Sequence, residues 1–420
     1  MTTPRLMSLR SRRDRGETYG ITSVCSAHPD VIRAALTLGR DNDQPVLIEA
    51  TCNQVNQDGG YTGMTPAKFR TFVEEIAESV SFDMEGLILG GDHLGPNPWK
   101  HLPATDALAK AKEMVAAYAS AGFSKLHLDC SMGCSGEPEA LEDDLVARRA
   151  AELAAVAEDN SAVSPVYIIG TEVPVPGGAS HAVNDLDVTD PAAARRTYEV
   201  HSRSFSEKGL EAAFQRVIGL VVQPGVEFGN ANVVAYQPDQ ARKLSQSLTE
   251  MPNVVFEAHS TDYQTAEALS ALVDGGFAIL KVGPGLTFAL REALYGLDLI
   301  ASELDGEPPI LKRTMETIMM EDRNHWEKYY PGNPSEQRIQ RHFSYSDRIR
   351  YYWSQPVARQ AVDELRTRLV KARIPETLIS QYLSPLTAQV RSGDVSPDFD
   401  AVVLAYVQAT LRDYAKACGH

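Results

Sequence analysis

Eight short apolar, β-branched runs alternate with eight helical stretches over the first three-quarters of the chain. The rhythm stops near residue 305, and no glycine-rich turn follows the first run. These three observations predict an α/β fold: a (β/α)8 TIM barrel over residues 1–305 with a C-terminal helical extension, residues 306–420, packed on it. Strands that alternate with helices imply a parallel sheet, and eight units in about 300 residues suit a closed barrel. A doubly wound sheet is the alternative. Its first strand would run into a phosphate-binding glycine turn, whereas this one runs into Cys25-Ser26-Ala27-His28-Pro29.

In chain order, the strand at 20–26 (GITSVCS) leads to a helix over 29–38, with Pro29 at a first turn that tolerates proline. The strand at 45–51 precedes a helix over 65–80. There Thr65-Pro66 makes a cap and first turn, and Phe69, Val73, Ile76 and Val80 recur at spacings of three and four. The strand at 87–93 feeds an alanine-rich helix, 106–121, stopped by Gly122. Strands at 125–131, 166–172, 217–223, 254–260 and 278–284 pair with helices at 141–157, 191–208, 238–248, 265–273 and 287–304. Beyond Glu307-Pro308-Pro309, a junction signal, the chain is rich in Arg, Tyr and Gln. It reads as helical at 346–353, 356–372 and 399–417, an extension suited to assembly or to a lid, and a homo-oligomer is expected.

Composition narrows the function. The 420 residues carry 40 Lys plus Arg against 56 Asp plus Glu, a formal charge of −16. That balance argues against nonspecific nucleic-acid binding, while a local positive field can still receive an anionic small molecule. No run approaches the ~18 apolar residues that span a bilayer, so no membrane association is expected. The basic N-terminus lacks the apolar core of a secretory signal and reads as a frayed arm rather than a transit peptide. Five cysteines, odd in number and sparse, favour reduced thiols and a cytoplasmic location. Cys130 and Cys134 have no second pair to complete a zinc finger.

The chemistry is concentrated where the strands end, the face that carries barrel active sites. Those ends offer Ser26 and His28, then Glu49 and Asn53, Asp92 and His93, Asp129 and Ser131, Glu172, Gln223, His259 and Ser260, and Lys281 and Gly283. His93 and His259 are imidazole candidates for a divalent metal, with Glu172 or Asp129 adding a carboxylate. Three protein ligands and an open position fit a zinc-type catalytic site. The plainer alternative is hydrogen-bonded strand-end histidines. Asp92 is a general-base candidate beside the metal, or else a turn cap among its glycines. Gly283-Pro284-Gly285 at a helix start reads as an anion cradle, with Ser260 and Thr261 on the neighbouring loop, against the reading of a simple tight turn. Lys281 is a Schiff-base candidate or a charge partner for a carboxylate or phosphate. No GxxxxGK[ST] occurs, which argues against a P-loop kinase.

SVCSAHP, LIEAT, NQVNQ, GGYTGMTP, ILGGDHLGPN, IGTEVPVPGG, VVQPGVEF, EAHSTDYQT, AILKVGP and YSDRIRYYW together resemble the GatZ/KbaZ family over nearly the whole chain. Those proteins are associated with class II tagatose-1,6-bisphosphate aldolase. The resemblance implies a sugar phosphate substrate, and Asn53, Ser260, Thr261, Lys281, Gly283 and Gly285, already singled out by strand-end and loop position, are the residues expected to bind it. It also implies a divalent metal, zinc by analogy. The class II pattern pairs an Asp for proton transfer with a metal-binding His. Asp92-His93 matches that pair, His259 is a second ligand, and Glu172 replaces a histidine as the third.

Three activities are open. The first is C4 epimerisation of a ketohexose 6-phosphate (tagatose to fructose configuration) by retro-aldol/aldol chemistry in galactitol and tagatose catabolism. The second is a non-catalytic subunit that stabilises a class II aldolase catalytic chain. The third is the aldolase itself. Epimerisation at C4 needs no redox cofactor when the C3–C4 bond breaks and reforms, and Asp92, Glu172, Glu49 and Asp129 supply carboxylates for it. An accessory subunit has no need for all of them at strand ends, so epimerisation is the expected activity. Arg348 and Arg350 are candidates to clamp a phosphate, or else belong to a surface helix.

Overall fold

The computed structural model describes residues 2–171, 186–370 and 372–420. Eight parallel strands close into a barrel: β1 (Ile21–Cys25), β2 (Val46–Thr51), β3 (Leu87–Leu94), β4 (Lys125–Leu128), β5 (Val166–Ile169), β6 (Val217–Val222), β9 (Val255–Ala258) and β10 (Ile279–Val282). They are ordered β1-β10-β9-β6-β5-β4-β3-β2, so each pairs with its successor and β1 closes on β10. Every anticipated strand is present within two or three residues of its expected ends. The short antiparallel pair β7 (Glu227–Phe228) and β8 (Val233–Val234) was not anticipated.

The helices form for the local reasons seen in the sequence. α2 (Pro29–Asp41) and α3 (Pro66–Ser79) both begin on proline, with His28 and Thr65 as side-chain caps. α4 (Ala104–Ser120), α5 (Asp143–Asn160), α6 (Pro191–Glu207), α8 (Pro238–Ser247), α9 (Ala266–Asp274) and α10 (Pro284–Asp305) follow their strands, with the short α7 (Glu211–Phe214) before β6. No described helix is long and apolar enough to cross a membrane.

The N-terminus is not a frayed arm, contrary to expectation. α1 (Thr2–Asp14) buries Leu6 and Leu9 in one cluster with Leu47, Ile88, Val255 and Ile279 of the barrel interior. Arg10 donates to the carbonyls of Leu248, Met251 and Val254 at 2.8–3.1 Å. The basic composition concealed an apolar pair three residues apart, which one helical turn brings to a single face.

After residue 305 the chain forms α11 (Leu311–Glu321), α12 (Pro334–Phe343), a 3-10 turn Arg348–Tyr352, α13 (Pro356–Leu369), α14 (Glu376–Tyr382), α15 (Thr387–Ser392) and α16 (Phe399–Ala417). α16 packs against α2, α9 and α10, and so takes a place in the helical ring itself. Its Tyr414 hydroxyl donates to the Thr261 carbonyl at 2.7 Å, and the Gln408 amide donates to the Ala34 carbonyl at 3.3 Å.

Candidate active site

Side chains two apart on a strand share a face, and in β4 that rule turns Lys125, His127 and Asp129 inward together. Lys125 is fully buried, 2.5 Å from Glu49 and 2.8 Å from Glu257. Glu49 also accepts from the Ser23 hydroxyl at 2.5 Å and lies 3.2 Å from Lys281. Gly90 makes this possible, because a Cβ there would sit 2.5 Å from the Glu49 carboxylate. Glu49 is therefore a floor beneath the site and not the free acid/base group expected. Lys125→Met would leave two buried carboxylates short of a cation, and a loss of about 3–5 kcal/mol is expected in urea unfolding.

Above this floor three histidines form a triangle, with ring centroids 5.0–5.3 Å apart: His93, His127 and His259. One nitrogen of each ring is held by a carboxylate. His93 Nδ1 lies 2.8 Å from Asp129, His127 Nδ1 2.8 Å from Asp92, and His259 Nε2 2.9 Å from Glu257. That leaves His93 Nε2, His127 Nε2 and His259 Nδ1. Of these, His127 Nε2 is buried without a hydrogen-bond partner. One ligand atom from each of Asp92, His93, His127 and His259 lies within 4.8 Å of the others. Carboxylate-backed imidazoles around a common point are a donor set suited to a divalent cation. Burial lowers the His259 ring to about 3, so it is neutral and its lone pair is free.

Asp92 and His93 are consecutive, yet both reach the cavity. The β3–β4 register breaks between Gly91 and Leu94, and His93 adopts φ +51°, a left-handed conformation costly for a non-glycine residue. Its diverted N–H lies 3.2 Å from His127 Nδ1, whose own hydrogen points to Asp92. Burial alone would raise the Asp92 carboxyl, but His93, Lys281 and His127 outweigh it and hold the group well below the usual range. Lys281 pairs closely with Asp92 and lies 3.6 Å from Glu257. Burial disfavours its charge, yet these carboxylates prevail and keep it an ammonium. An ammonium has no lone pair for imine formation. Borohydride reduction with a ketose phosphate present should leave no adduct on Lys281 by intact mass.

Asn53, Asp92, His93, His259, Ser260, Lys281 and Gly283 line one cavity at the C-terminal mouth of the barrel. Other expected residues lie elsewhere. Asp129 sits behind His93 and accepts from the Ser131 hydroxyl at 2.6 Å, so it orients the ring. Thr261 is fully buried, donating to the Lys281 carbonyl at 2.7 Å, and does not face substrate. The amides of Gly283 and Gly285 are not a free anion cradle, because both donate to Asp262 Oδ1, at 2.9 and 2.7 Å. A carboxylate already fills the cradle. Arg348 bonds the His325 carbonyl and stacks on Tyr329, a packing role. Glu172, expected as acid/base and third ligand, lies outside the described residues.

Sequence reasoning missed His127, Glu257 and Asp262. The first two stand between or beside residues already singled out, in KLHLD and FEAHS, and period-two alternation would have found both. Asp262 lines the cavity, and burial pushes its carboxyl up to about 6 despite the two amides. Glu227 of β7 is buried nearby. Burial pushes it up to about 7, against an ordinary 4.5, offset only partly by the Phe228 amide and the Ser260 hydroxyl. The folded chain therefore favours the protonated acid. Its stability contribution is full below the unfolded value and is lost as pH rises through about 7. A fall on the order of 3 kcal/mol is expected across that window. Melting curves of Glu227→Gln should show a correspondingly flatter pH dependence.

Comparison with known proteins agrees with this architecture. A curated relative from Agrobacterium fabrum (strain C58 / ATCC 33970), named D-tagatose 6-phosphate 4-epimerase, is 54% identical over 421 residues, covering 99% of this chain and 98% of its own. The crystal structure of a probable tagatose 6 phosphate kinase from Sinorhizobium meliloti 1021 matches with a TM-score of 0.89 and 59% identity, covering 95% of this chain and 100% of that one. Residues 6–419 match the family described as D-tagatose-1,6-bisphosphate aldolase subunit GatZ/KbaZ-like, and the chain belongs to that family.

Proposed function

We propose that the chain epimerises C4 of a ketohexose 6-phosphate, interconverting D-tagatose 6-phosphate and D-fructose 6-phosphate. The carrying observation is the histidine triangle with the ionised Asp92 beside it, in a barrel-mouth cavity. The 54% identical relative bears the name of this activity. Asp92 takes the C4 hydroxyl proton. The C3–C4 bond breaks, its electron pair passes to the C2 carbonyl as an enediolate, and C4 becomes an aldehyde. The aldehyde turns, the enediolate attacks its other face, and the new C4 oxygen is protonated. Asp262 is a second proton carrier in the same cavity, its carboxyl at about 6 being closer to neutral pH than an ordinary aspartate.

His93, His127 and His259 would hold a divalent metal, and zinc suits this imidazole set. The buried, unpartnered His127 Nε2 supports that fit. A cation bound there supplies Lewis-acid polarisation of the ketose oxygens. Asp129 and Glu257 fix the ring orientations, and Lys281 keeps Asp92 ionised.

The name of the Sinorhizobium protein raises phosphoryl transfer as a rival, and the lack of a GxxxxGK[ST] loop argues against its P-loop form. The test is to incubate the isolated chain with D-tagatose 6-phosphate, before and after chelation and zinc restoration. D-fructose 6-phosphate is the expected product. Triose release would favour an aldolase, and inert, folded, metal-loaded protein would favour a subunit that supports a separate class II aldolase chain.

A further inference from the structure

The mouth cavity adjoins a second chamber of about 400 Å³. Cys25, Gln54, Tyr61, Gly283 and Arg350 belong to the walls of both. The two differ in charge. The first is lined by Asp92 and Asp262 together with Lys281, whereas the second adds Arg359 to the shared Arg350 and has no carboxylate among the described residues; burial lowers the His28 ring there, so it adds no charge. Such a basic chamber is notable in a chain of net charge −16. Arg350 is central to it. Its Nη1 donates to the Ser346 and Asp347 carbonyls and its Nη2 to the Tyr351 hydroxyl at 3.0 Å. No described carboxylate pairs with it within 4 Å, unlike Arg341, Arg149 and Arg216, each of which is paired with a glutamate. A guanidinium fixed by neutral acceptors, with Asp347 and Asp262 acting on it only at longer range and no carboxylate in contact, is prepared for an anion. In the same wall Trp353 is buried, and its indole N–H has no acceptor.

We propose that this side chamber is the phosphate pocket, with Arg350 as the residue that binds the phosphate monoester and Arg359 adding positive charge at its edge. The inference rests on the sugar phosphate reading above. It assigns the phosphate to the segment after α12, and not to the Gly283–Gly285 amides, which Asp262 occupies. The ketose chain then extends from Arg350 through the shared wall to Asp92 and the histidines. The C-terminal extension thereby completes the site, because a barrel ending at residue 305 would lack both arginines.

The test combines turnover with binding of inorganic phosphate by calorimetry, on the full-length, metal-loaded chain and on Arg350→Met, Arg350→Lys and Arg359→Met. Arg350→Met should raise KM for D-tagatose 6-phosphate about 10- to 100-fold with a smaller change in kcat, and should abolish phosphate binding. Arg350→Lys should restore part of both, and the exposed Arg359→Met should show a weaker form of the same effect. If Arg350→Met does not fold, the Lys and Arg359 variants carry the test. Unchanged KM and phosphate affinity in folded variants, with the parent active, would overturn the phosphate pocket and leave the epimerase reading intact. Phosphate binding that depends on Arg350 in a chain that does not interconvert the ketoses would uphold the pocket and overturn that reading. A parent chain with neither phosphate binding nor turnover would overturn both.

Discussion

Asp92→Asn is expected to lower kcat by about 10²–10⁴ while leaving the bound metal in place. The substitution keeps the shape of the side chain and an oxygen facing His127, but removes the negative charge and the capacity to take a proton. His93, Lys281 and His127 hold the Asp92 carboxyl well below the usual carboxylate range against the cost of burial, so in the parent the base is present near neutral pH. The asparagine also leaves Lys281 with Glu49 and Glu257 as its remaining partners, so the ammonium stays neutralised and the barrel should fold. Turnover of D-tagatose 6-phosphate, with metal content measured on the same sample, checks the expectation. Activity within about tenfold of the parent would remove Asp92 from the role of principal base.

His127→Ala has a different signature. Its Nε2 is a buried nitrogen without a partner, and the ring nitrogens of His93 and His259 lie on the same side of the barrel mouth. Removing it should weaken metal affinity by more than about 100-fold, and activity should fall with it. Glu257→Gln, which touches the ligand set only through His259, should cost less, about 10- to 100-fold in affinity. Elemental analysis after dialysis separates the cases: Asp92→Asn retains the metal, Glu257→Gln retains it at high concentration, and His127→Ala does not. Full metal occupancy in His127→Ala would exclude that residue as a ligand.

The order of these effects shows how much was legible beforehand. The barrel was readable because strand and helix periods repeat eight times, and each repeat has its own punctuation, such as Thr65-Pro66 or Gly122. The polar strand ends were readable too, and Asp92, His93 and His259 do meet in one cavity. What was misread divides by cause. His127 and Glu257 were overlooked although their strand parity was available. Thr261, Gly283 and Gly285 were assigned by loop position, and their partners come from Tyr414 and Asp262, one of them about 150 residues away in sequence.

Local sequence therefore determined the elements, their order and which residue types cluster at the strand ends, since hydrophobic period and turn chemistry act over a few residues. Only the closed barrel decided how the charges are shared. Lys125, Glu49, Glu257 and Lys281 come from four separate strands, and each is buried at a cost that only the others offset. Across the same barrel mouth His127 Nε2 stays without a hydrogen-bond partner, and Arg350 has no carboxylate in direct contact among the described residues. Such a balance is a property of distances across the barrel, which no single stretch of the chain records.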